Sequence, residues 1–207
     1  MLLSEPKAGK KIKVGLMGGT FDPIHYGHLV AAEAARDKFQ LDEVVFVPAG
    51  RPPHKRKKIV SEPRHRVMMT ILATITNPSF RVSRIEAERE GYSYAYDTVM
   101  QFLQLYKRQC ELYFITGADA ILDILSWNKV DELVENCRFI AANRPGFTWP
   151  DNTDLPDYVL NNVTFMEVPA LAISSTDIRS RVVNGESITY LVPESVQMYI
   201  TKNQLYK

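Results

Sequence analysis

The amino-acid sequence predicts an α/β fold in which a doubly wound, mostly parallel sheet is flanked by helices. Two observations carry this prediction: six short runs rich in β-branched and aromatic residues, and longer segments with helical spacing that alternate with them. Such alternation favours parallel strands with helices on both faces of the sheet. Sheets of this kind bind ligands outside the carboxyl ends of the strands, where the strand order reverses.

The predicted strands are short and rich in residues that pack well on a pleated surface. A polar lead-in, 1–10, precedes the first strand and is expected to be flexible. The six predicted strands are KIKVGLM (11–17), EVVFVP (43–48), FRVSRI (80–85), ELYFIT (111–116), CRFIAA (137–142) and VTFMEV (163–168).

Helical spacing fills most of the segments between the strands. The longest of them, 118–134, is expected to break near Trp127. Near the end, a helix capped by a serine or threonine is expected to stop at Asn184-Gly185, and a last helix begins at Pro193. The other predicted elements are helices at 29–39, 62–75 and 94–106, and a loop at 144–157 that is rich in Pro, Asp and Asn.

Length and composition favour one domain over 11–207, ending in a short helical part from about residue 174. The 207 residues are 45% hydrophobic, which is enough for a single buried core. The formal net charge of +1, from 25 basic and 24 acidic residues, argues against bulk attraction to nucleic acid. No apolar run approaches the roughly 20 residues that span a bilayer, and the apolar stretch at the start is too short for a signal peptide.

Cys110 and Cys137 are the only cysteines, and their spacing indicates neither a metal site nor a disulfide framework. Both lie in or beside apolar segments, so we expect reduced thiols in the core. Together with the absence of a predicted membrane span, this cysteine usage indicates a cytoplasmic protein.

The stretch GGTFDPIHYGHL (18–29) follows the first predicted strand and predicts a phosphate site. Gly18 and Gly19 let the backbone turn sharply and approach a ligand, and N–H groups at the start of the following helix attract anions. His25 and His28 can project to one side of that helix and donate hydrogen bonds to phosphoryl oxygens. The alternatives are a zinc site, which would need further ligands, and a purely structural role of both histidines.

The stretch ISSTDIR (173–179) supplies a second candidate phosphate site. Ser174, Ser175 and Thr176 can present hydroxyls and N–H groups at a helix N-terminus. Arg179, one turn later, can reach phosphates with its fork of donors. The alternative is a routine helix cap with a solvated arginine.

The first motif, GGTFDPIHYGH, resembles the (T/H)xGH signature of the nucleotidylyltransferase superfamily. Together with ISSTDIR, which resembles an ISSTxIR element, it makes the sequence from 11 to 206 similar to bacterial nicotinate mononucleotide adenylyltransferases. The resemblance implies a Rossmann-like fold of the nucleotidylyltransferase type. It also implies transfer of AMP from ATP to nicotinate mononucleotide in NAD biosynthesis, with nicotinate adenine dinucleotide and pyrophosphate as products. Mg²⁺ would arrive with the ATP phosphates, and we expect no dedicated protein metal site.

The resemblance also implies roles for individual residues. His25, His28 and Arg179 would be catalytic. Trp127 would stack on the pyridine ring, with burial in the core as the alternative, and Phe21 is explained equally well as a core anchor. The implied ATP site comprises Gly18, Gly19, Thr20, Phe21, His25, His28, Ile173, Ser174, Ser175, Thr176 and Arg179. The implied substrate site comprises His54, Lys55, Ala95, Gly117, Asp119, Trp127, Asn128 and Arg144, the last with a solvated loop arginine as its alternative.

Two positions depart from the family's usual pattern. Ala95, in SYAYDT, stands where the family usually has threonine, and Ala49 stands where asparagine is common. The resemblance implies that backbone N–H groups near Ala95 and Trp127 recognise the nicotinate carboxylate. The change at Ala95 is tolerable if only its N–H is used, and neither change touches the phosphate chemistry.

Other functions are weighed against this one. A sibling enzyme would use nicotinamide mononucleotide, alone or beside the acid, or phosphopantetheine, or would transfer cytidylate; SYAYDT and SWN (126–128) favour the nicotinate branch. A catalytically silent nucleotide-binding protein is a further alternative. The intact motifs argue against it, because such a protein need not keep both of them. The basic run RPPHKRKK (51–58) would suit nucleic-acid binding, but the near-neutral net charge argues against it. The expected partners are ATP and nicotinate mononucleotide, without nucleic acid or membrane, and a homo-oligomer is left open.

Overall fold

A six-stranded parallel sheet forms the centre of the molecule in the computed structural model, which describes residues 10–52, 60–143, 155–169 and 171–207. Its strands are β1 (Ile12–Gly19), β2 (Glu43–Pro48), β3 (Phe80–Val82), β4 (Cys110–Gly117), β5 (Arg138–Asn143) and β6 (Val163–Glu167). Their order in the sheet is β3-β2-β1-β4-β5-β6, and every neighbouring pair is parallel. The predicted α/β class and the six predicted strands are confirmed.

Helices cover both faces of this sheet. They are α1 (Tyr26–Phe39), α2 (Pro63–Thr74), α3 (Ala95–Leu105), α4 (Ala118–Leu122), α5 (Val130–Asn136), α6 (Asp157–Leu160), α7 (Ser175–Val183) and α8 (Glu194–Lys202). Buried residues of α1, α2, α7 and α8 form one core with the sheet, and those of α3 to α6 form the other. The sheet is therefore doubly wound, as predicted.

The two cores follow from side-chain alternation along the strands. In β1, Val14 and Leu16 belong to the core under α3 to α6, whereas Met17 belongs to the core under α1 and α2. All six residues of β2 are buried, which is typical of a parallel strand covered on both faces.

Several boundaries differ from the predictions. The predicted strand 80–85 ends at Val82, since the hydroxyl of Ser83 accepts the N–H of Ile85 (3.3 Å) and closes a turn. Helix α1 begins at Tyr26, three residues before the predicted start. The break near Trp127 is confirmed, because a 3-10 turn separates α4 from α5 there. Helix α6 was not predicted, and most of the predicted lead-in 1–10 and loop 144–157 lies outside the described residues.

The strand order reverses between β1 and β4, which places a crevice for a ligand at their carboxyl ends. Gly19 at the end of β1 pairs with Pro48 of β2, and Gly117 at the end of β4 pairs with Ala142 of β5. The predicted site glycines of both strands therefore reach the same edge of the sheet.

Both cysteines are buried and none forms a disulfide, which confirms the predicted core thiols. Over the described ranges, the structure has no helix that combines the length and apolar character needed to cross a membrane.

Candidate active site

The turn after β1 lies at this carboxyl edge and is shaped by Phe21. Phe21 has φ 50°, in the left-handed region, and its side chain is 2% exposed. Its ring packs edge-on against His28, with 5.1 Å between centroids, and at a tilt against Phe46 of β2, with 5.9 Å between centroids. A Cβ on Gly19 would lie 2.7 Å from the same ring, so this position favours glycine. The side chain of Phe21 is therefore a core anchor.

His25 and His28 lie at the start of α1. His25 is the N-cap, with extended backbone, and the two rings stack with 3.8 Å between centroids and 30° between planes. Nδ1 of His28 accepts a hydrogen bond from the N–H of His25 (3.3 Å). Neutral His28 therefore carries its hydrogen on Nε2. Such an N–H is a suitable donor to a phosphoryl oxygen.

The second motif begins α7 and contacts the turn after β1. The hydroxyl of the N-cap, Ser174, accepts the N–H of Asp177 (3.1 Å), as a capping serine is expected to do. The hydroxyl of Ser175 donates to the carbonyl oxygen of Pro23 (2.9 Å), 152 residues away in sequence. These contacts bring the first turn of α7 to the loop that precedes α1.

Arg179 strengthens this junction. Its Nη1 donates to the carbonyl oxygen of Asp22 (2.7 Å), and its Nη2 donates to the hydroxyl of Thr176 (3.3 Å). The carbonyl oxygen of Ile173 lies 3.9 Å from the position a Cβ on Gly27 would take, so the start of the motif also approaches α1. The structure thus brings the residues of both predicted phosphate motifs together.

Arg66 lies beneath the turn and was missed by the sequence analysis. This residue is 1% exposed. Its three guanidinium nitrogens donate to the carbonyl oxygens of Thr20 (2.8 Å), Gly50 (3.0 Å) and Ser61 (2.8 Å). Burial lowers the pKa of Arg66, and the negative charge of Asp22 opposes that shift. One buried cation therefore holds the loops after β1 and β2 and the segment before α2.

The carboxylate of Asp22 is a second buried charge at the turn that the analysis did not assign. Asp22 is 3% exposed. Its Oδ1 accepts the hydroxyl of Tyr206 (2.8 Å), and its Oδ2 accepts the N–H of Ser61 (3.2 Å). The carboxylate therefore has a donor on each oxygen, as a buried charge requires.

The SYAYDT segment packs against the end of β2. The hydroxyl of Ser93 accepts the N–H of Gly50 (2.9 Å), and the N–H of Ser93 donates to the carbonyl of Arg51 (3.0 Å). Ala95, half-buried, is the first residue of α3. Glu86 supports this segment from below by accepting the hydroxyl of Thr98 (2.6 Å). Burial raises the pKa of Glu86.

The remaining described candidates follow β4. Trp127 is half-buried and packs edge-on against Phe114, with 5.7 Å between centroids, and Phe139, with 6.2 Å. The core contact that was the alternative for Trp127 is thus present, although part of its ring is still exposed. Gly117 ends β4, and Asp119 and Asn128 are exposed.

Comparison with known proteins finds relatives along almost the whole chain. The cytidylyltransferase-like family model matches residues 16–181. A protein of Thermoanaerobacter sp. (strain X514), named "Probable nicotinate-nucleotide adenylyltransferase", is 55% identical over 202 residues, which cover 96% of both chains. One of the same name from Moorella thermoacetica (strain ATCC 39073 / JCM 9320) is 56% identical over 199 residues, 94% of this chain and 92% of the relative. This chain belongs to the nicotinate-nucleotide adenylyltransferase family.

The fold of this chain is similar to that of a solved structure. The Plasmodium falciparum nicotinic acid mononucleotide adenylyltransferase complexed with NaAD has a TM-score of 0.75 at 23% identity, over 94% of this chain and 97% of that one. At this identity the likeness concerns the fold, and it confirms the predicted Rossmann-like sheet. The family predicted from the two motifs is confirmed by the relatives, and the chain is a nucleotidyltransferase.

Not every predicted residue of this adenylyltransferase can be placed. His54 and Lys55, within 53–59, and Arg144, within 144–154, lie outside the described residues. Among the residues that are described, no group of three or more His, Cys, Asp or Glu side chains could hold a metal ion.

The sequence of this family member carried a signal for one of the missed residues, Arg66, but none for the contact between Tyr206 and Asp22. Arg66 falls on the buried face of α2 with Met69 and Ala73, and a lone charge on such a face was a signal of a paired buried group. The hydrogen bond between Tyr206 and Asp22 left no signal, since it joins residues 184 positions apart.

Proposed function

We propose that this chain transfers AMP from ATP to nicotinate mononucleotide and releases pyrophosphate. The observation that carries the proposal is the pair of hydrogen bonds from Ser175 and Arg179 to the turn after β1. These bonds bring the start of α7 beside the start of α1, so that helix N-termini, imidazole and guanidinium converge at one edge. The names of relatives at 55% and 56% identity support the substrate pair.

ATP would bind with its phosphates between α1 and α7. The Nε2–H of His28, together with His25, would contact the phosphates where charge develops. Arg179 would bind the β- and γ-phosphates, since a guanidinium has five N–H donors and two of its nitrogens are already held in place. The backbones of 18–21 and 173–176 would supply the remaining donors, the first of them to the phosphates of both nucleotides.

The reaction needs positioning more than acid–base chemistry. An oxygen of the mononucleotide phosphate attacks the α-phosphorus in line, a new phosphorus–oxygen bond forms, and the bond to the leaving pyrophosphate breaks. The attacking oxygen is already anionic, so no general base is required. Fixed donors that neutralise the developing charge supply most of the catalysis in such reactions.

Mg²⁺ would arrive on the ATP phosphates and neutralise part of their charge. Its ligands would be phosphate oxygens and water, because Mg²⁺ is commonly held this way.

Nicotinate mononucleotide would bind on the other side of the crevice. Ala95 starts α3, so its N–H lies at the positive end of a helix, which favours the nicotinate carboxylate over the neutral amide. The exposed part of Trp127 would stack on the pyridine ring. Gly117 and Asp119 would border the ribose, and the remaining proposed contacts are His54, Lys55, Asn128 and Arg144.

Pyrophosphate release with ATP and Mg²⁺ tests the proposal, with nicotinate mononucleotide and its amide offered in parallel. We expect a strong preference for the acid. His28→Ala should lower kcat by about 10²- to 10³-fold, the usual loss for one donor to a developing anion. His65→Ala is the matched control, because His65 lies on α2 and bonds to Tyr199.

Three other results of the pyrophosphate assay would contradict parts of the proposal. Equal rates with acid and amide would make the chain a dual-specificity enzyme and would remove the role assigned to the start of α3. Release of pyrophosphate that survives His28→Ala would contradict the catalytic assignment. No release with either mononucleotide would contradict the proposed function.

A further inference from the structure

The hydroxyl of Tyr206 reaches the turn after β1 from the opposite end of the chain. It donates a 2.8 Å hydrogen bond to Oδ1 of Asp22. Tyr206 follows α8, and its φ of 66° lets the chain turn back towards the sheet. The N–H of Leu205 closes this return on the carbonyl of Ile200 (3.1 Å). A residue beyond the last helix therefore contacts the loop that leads into both histidines.

This contact bears on a buried charge. Asp22 is 3% exposed. Within the part of the chain that the structure describes, its carboxylate accepts hydrogen bonds from the Tyr206 hydroxyl and the N–H of Ser61. A buried carboxylate that loses a donor is strongly destabilised. The Tyr206 hydroxyl thus holds the Asp22 side chain in one position.

Asp22 is also linked to the proposed phosphate site through its backbone. The carbonyl of Asp22 accepts Arg179, and the carbonyl of the next residue, Pro23, accepts Ser175. His25 follows two residues later as the N-cap of α1. Burial, with the charge of Asp22 and the hydrogen bond to it, raises the pKa of Tyr206, so the phenol keeps its proton and stays a donor.

We propose that Tyr206 is a positioning residue for adenylyl transfer, because its hydroxyl holds the turn after β1 through Asp22 and so orients His25 and His28 towards ATP. The inference rests on the proposed function and deepens it. Tyr206 acts through Asp22 and is not itself a catalytic residue. A hydroxyl with only a structural role would change the unfolding temperature and leave the kinetic constants of the folded enzyme unaltered.

Tyr206→Phe removes the donor and keeps the ring. Tyr199→Phe is the matched control, since Tyr199 lies on α8 and its hydroxyl bonds to His65 (2.9 Å), away from the turn. Unfolding temperature, kcat and KM are measured for both variants, with kinetics at a temperature where each is folded. We expect Tyr206→Phe to lower kcat/KM for ATP about tenfold, as for a lost hydrogen bond to a buried charge. Tyr199→Phe should leave it unchanged.

A double-mutant cycle with Asp22→Ala, which removes the acceptor of the Tyr206 hydroxyl, tests the route of the effect. If Tyr206 acts through the carboxylate, Tyr206→Phe will have a much smaller effect in the Asp22→Ala enzyme than in the wild type. Additive effects of the two changes, or equal kinetics of Tyr206→Phe and Tyr199→Phe, would overturn the inference.

Failure of the proposed function can be told apart from failure of this inference. If the wild-type chain releases no pyrophosphate, the proposed function fails. Calorimetric titration with ATP then decides the positioning role. Weaker ATP binding by Tyr206→Phe, with Tyr199→Phe unchanged, supports it, and equal binding overturns it.

Discussion

Nη1 of Arg179 donates a 2.7 Å hydrogen bond to the carbonyl oxygen of Asp22, so a side chain of α7 is fastened to the turn after β1. A planar guanidinium can keep this bond and still present further N–H groups to a phosphate. Lysine has one charged nitrogen and no planar fork, and it cannot do both with the same geometry.

We therefore predict that Arg179→Lys lowers kcat/KM for ATP by about 10- to 100-fold, the range of a charge-assisted hydrogen bond. The measurement is steady-state pyrophosphate release at varied ATP. Arg181→Lys is the control on the same helix, because Arg181 pairs with Asp177 (2.9 Å) at the exposed surface. An unchanged kcat/KM in Arg179→Lys would contradict the prediction and show that this position needs only a positive charge.

Gly50→Ala should destabilise the fold. An added Cβ would lie 2.1 Å from the carbonyl oxygen of Glu86, a backbone atom that cannot rotate away. We expect the free energy of unfolding in urea to fall by about 3 kcal/mol, at the upper end for overpacking. Gly91→Ala is the comparison, since its φ of 87° brings backbone strain, for which we expect a smaller loss of ~1 kcal/mol. Equal losses of unfolding free energy in the two variants would mean that the loop after β2 moves freely enough to accommodate the added Cβ.

Glu86→Gln should change the pH dependence of stability. Burial raises the pKa of Glu86 in the folded state, so the folded chain binds more protons than the unfolded chain above the ordinary glutamate pKa. Stability from this group therefore falls as pH rises from that value to the raised one. Glutamine removes this loss and can still accept the hydroxyl of Thr98.

Urea unfolding at pH 4 and pH 7 provides the measurement for this prediction. We expect the stability of Glu86→Gln relative to the wild type to be greater at pH 7 than at pH 4. Glu88→Gln, at an exposed position, controls for the loss of one negative charge. A relative stability that falls with rising pH would contradict the assigned burial.

Both cysteines should resist alkylation in the folded protein. Burial raises the pKa of Cys110 to about 11 and also raises the pKa of Cys137. The thiolate is the reactive form, so both groups are protected by protonation as well as by access. Iodoacetamide at pH 8 should label neither cysteine while the urea-unfolded chain is labelled at both. Rapid labelling of the folded chain at Cys110 would show that the start of β4 opens locally.

Local patterns explain most of what was predictable. A parallel strand buried on both faces is a continuous apolar run, so β2 was found with its bounds intact. Each phosphate motif is a single continuous stretch of sequence. That the two motifs lie close together follows from the rule that ligands bind at the carboxyl edge of such a sheet. The start of α1 was misplaced because its N-cap, His25, is not one of the residue types that usually begin a helix.

The connections between loops were beyond sequence reasoning. Arg66 binds Thr20 from 46 residues away, and Tyr206 binds Asp22 from still farther. Such hydrogen bonds have no periodicity and depend on how the whole sheet is assembled. The support of the site was therefore invisible even where the site itself was recognised.

The separation of 152 residues between Pro23 and Ser175 has a consequence for synthesis on the ribosome. The turn after β1 is translated early, but Ser175 and Arg179, which fasten it to α7, emerge only with that helix. Contacts between distant segments form late because the intervening loop must first be closed. A nascent chain that already contains β1 and both histidines should therefore not hold ATP in the proposed manner. Nucleotide affinity would then appear only after α7 has been translated.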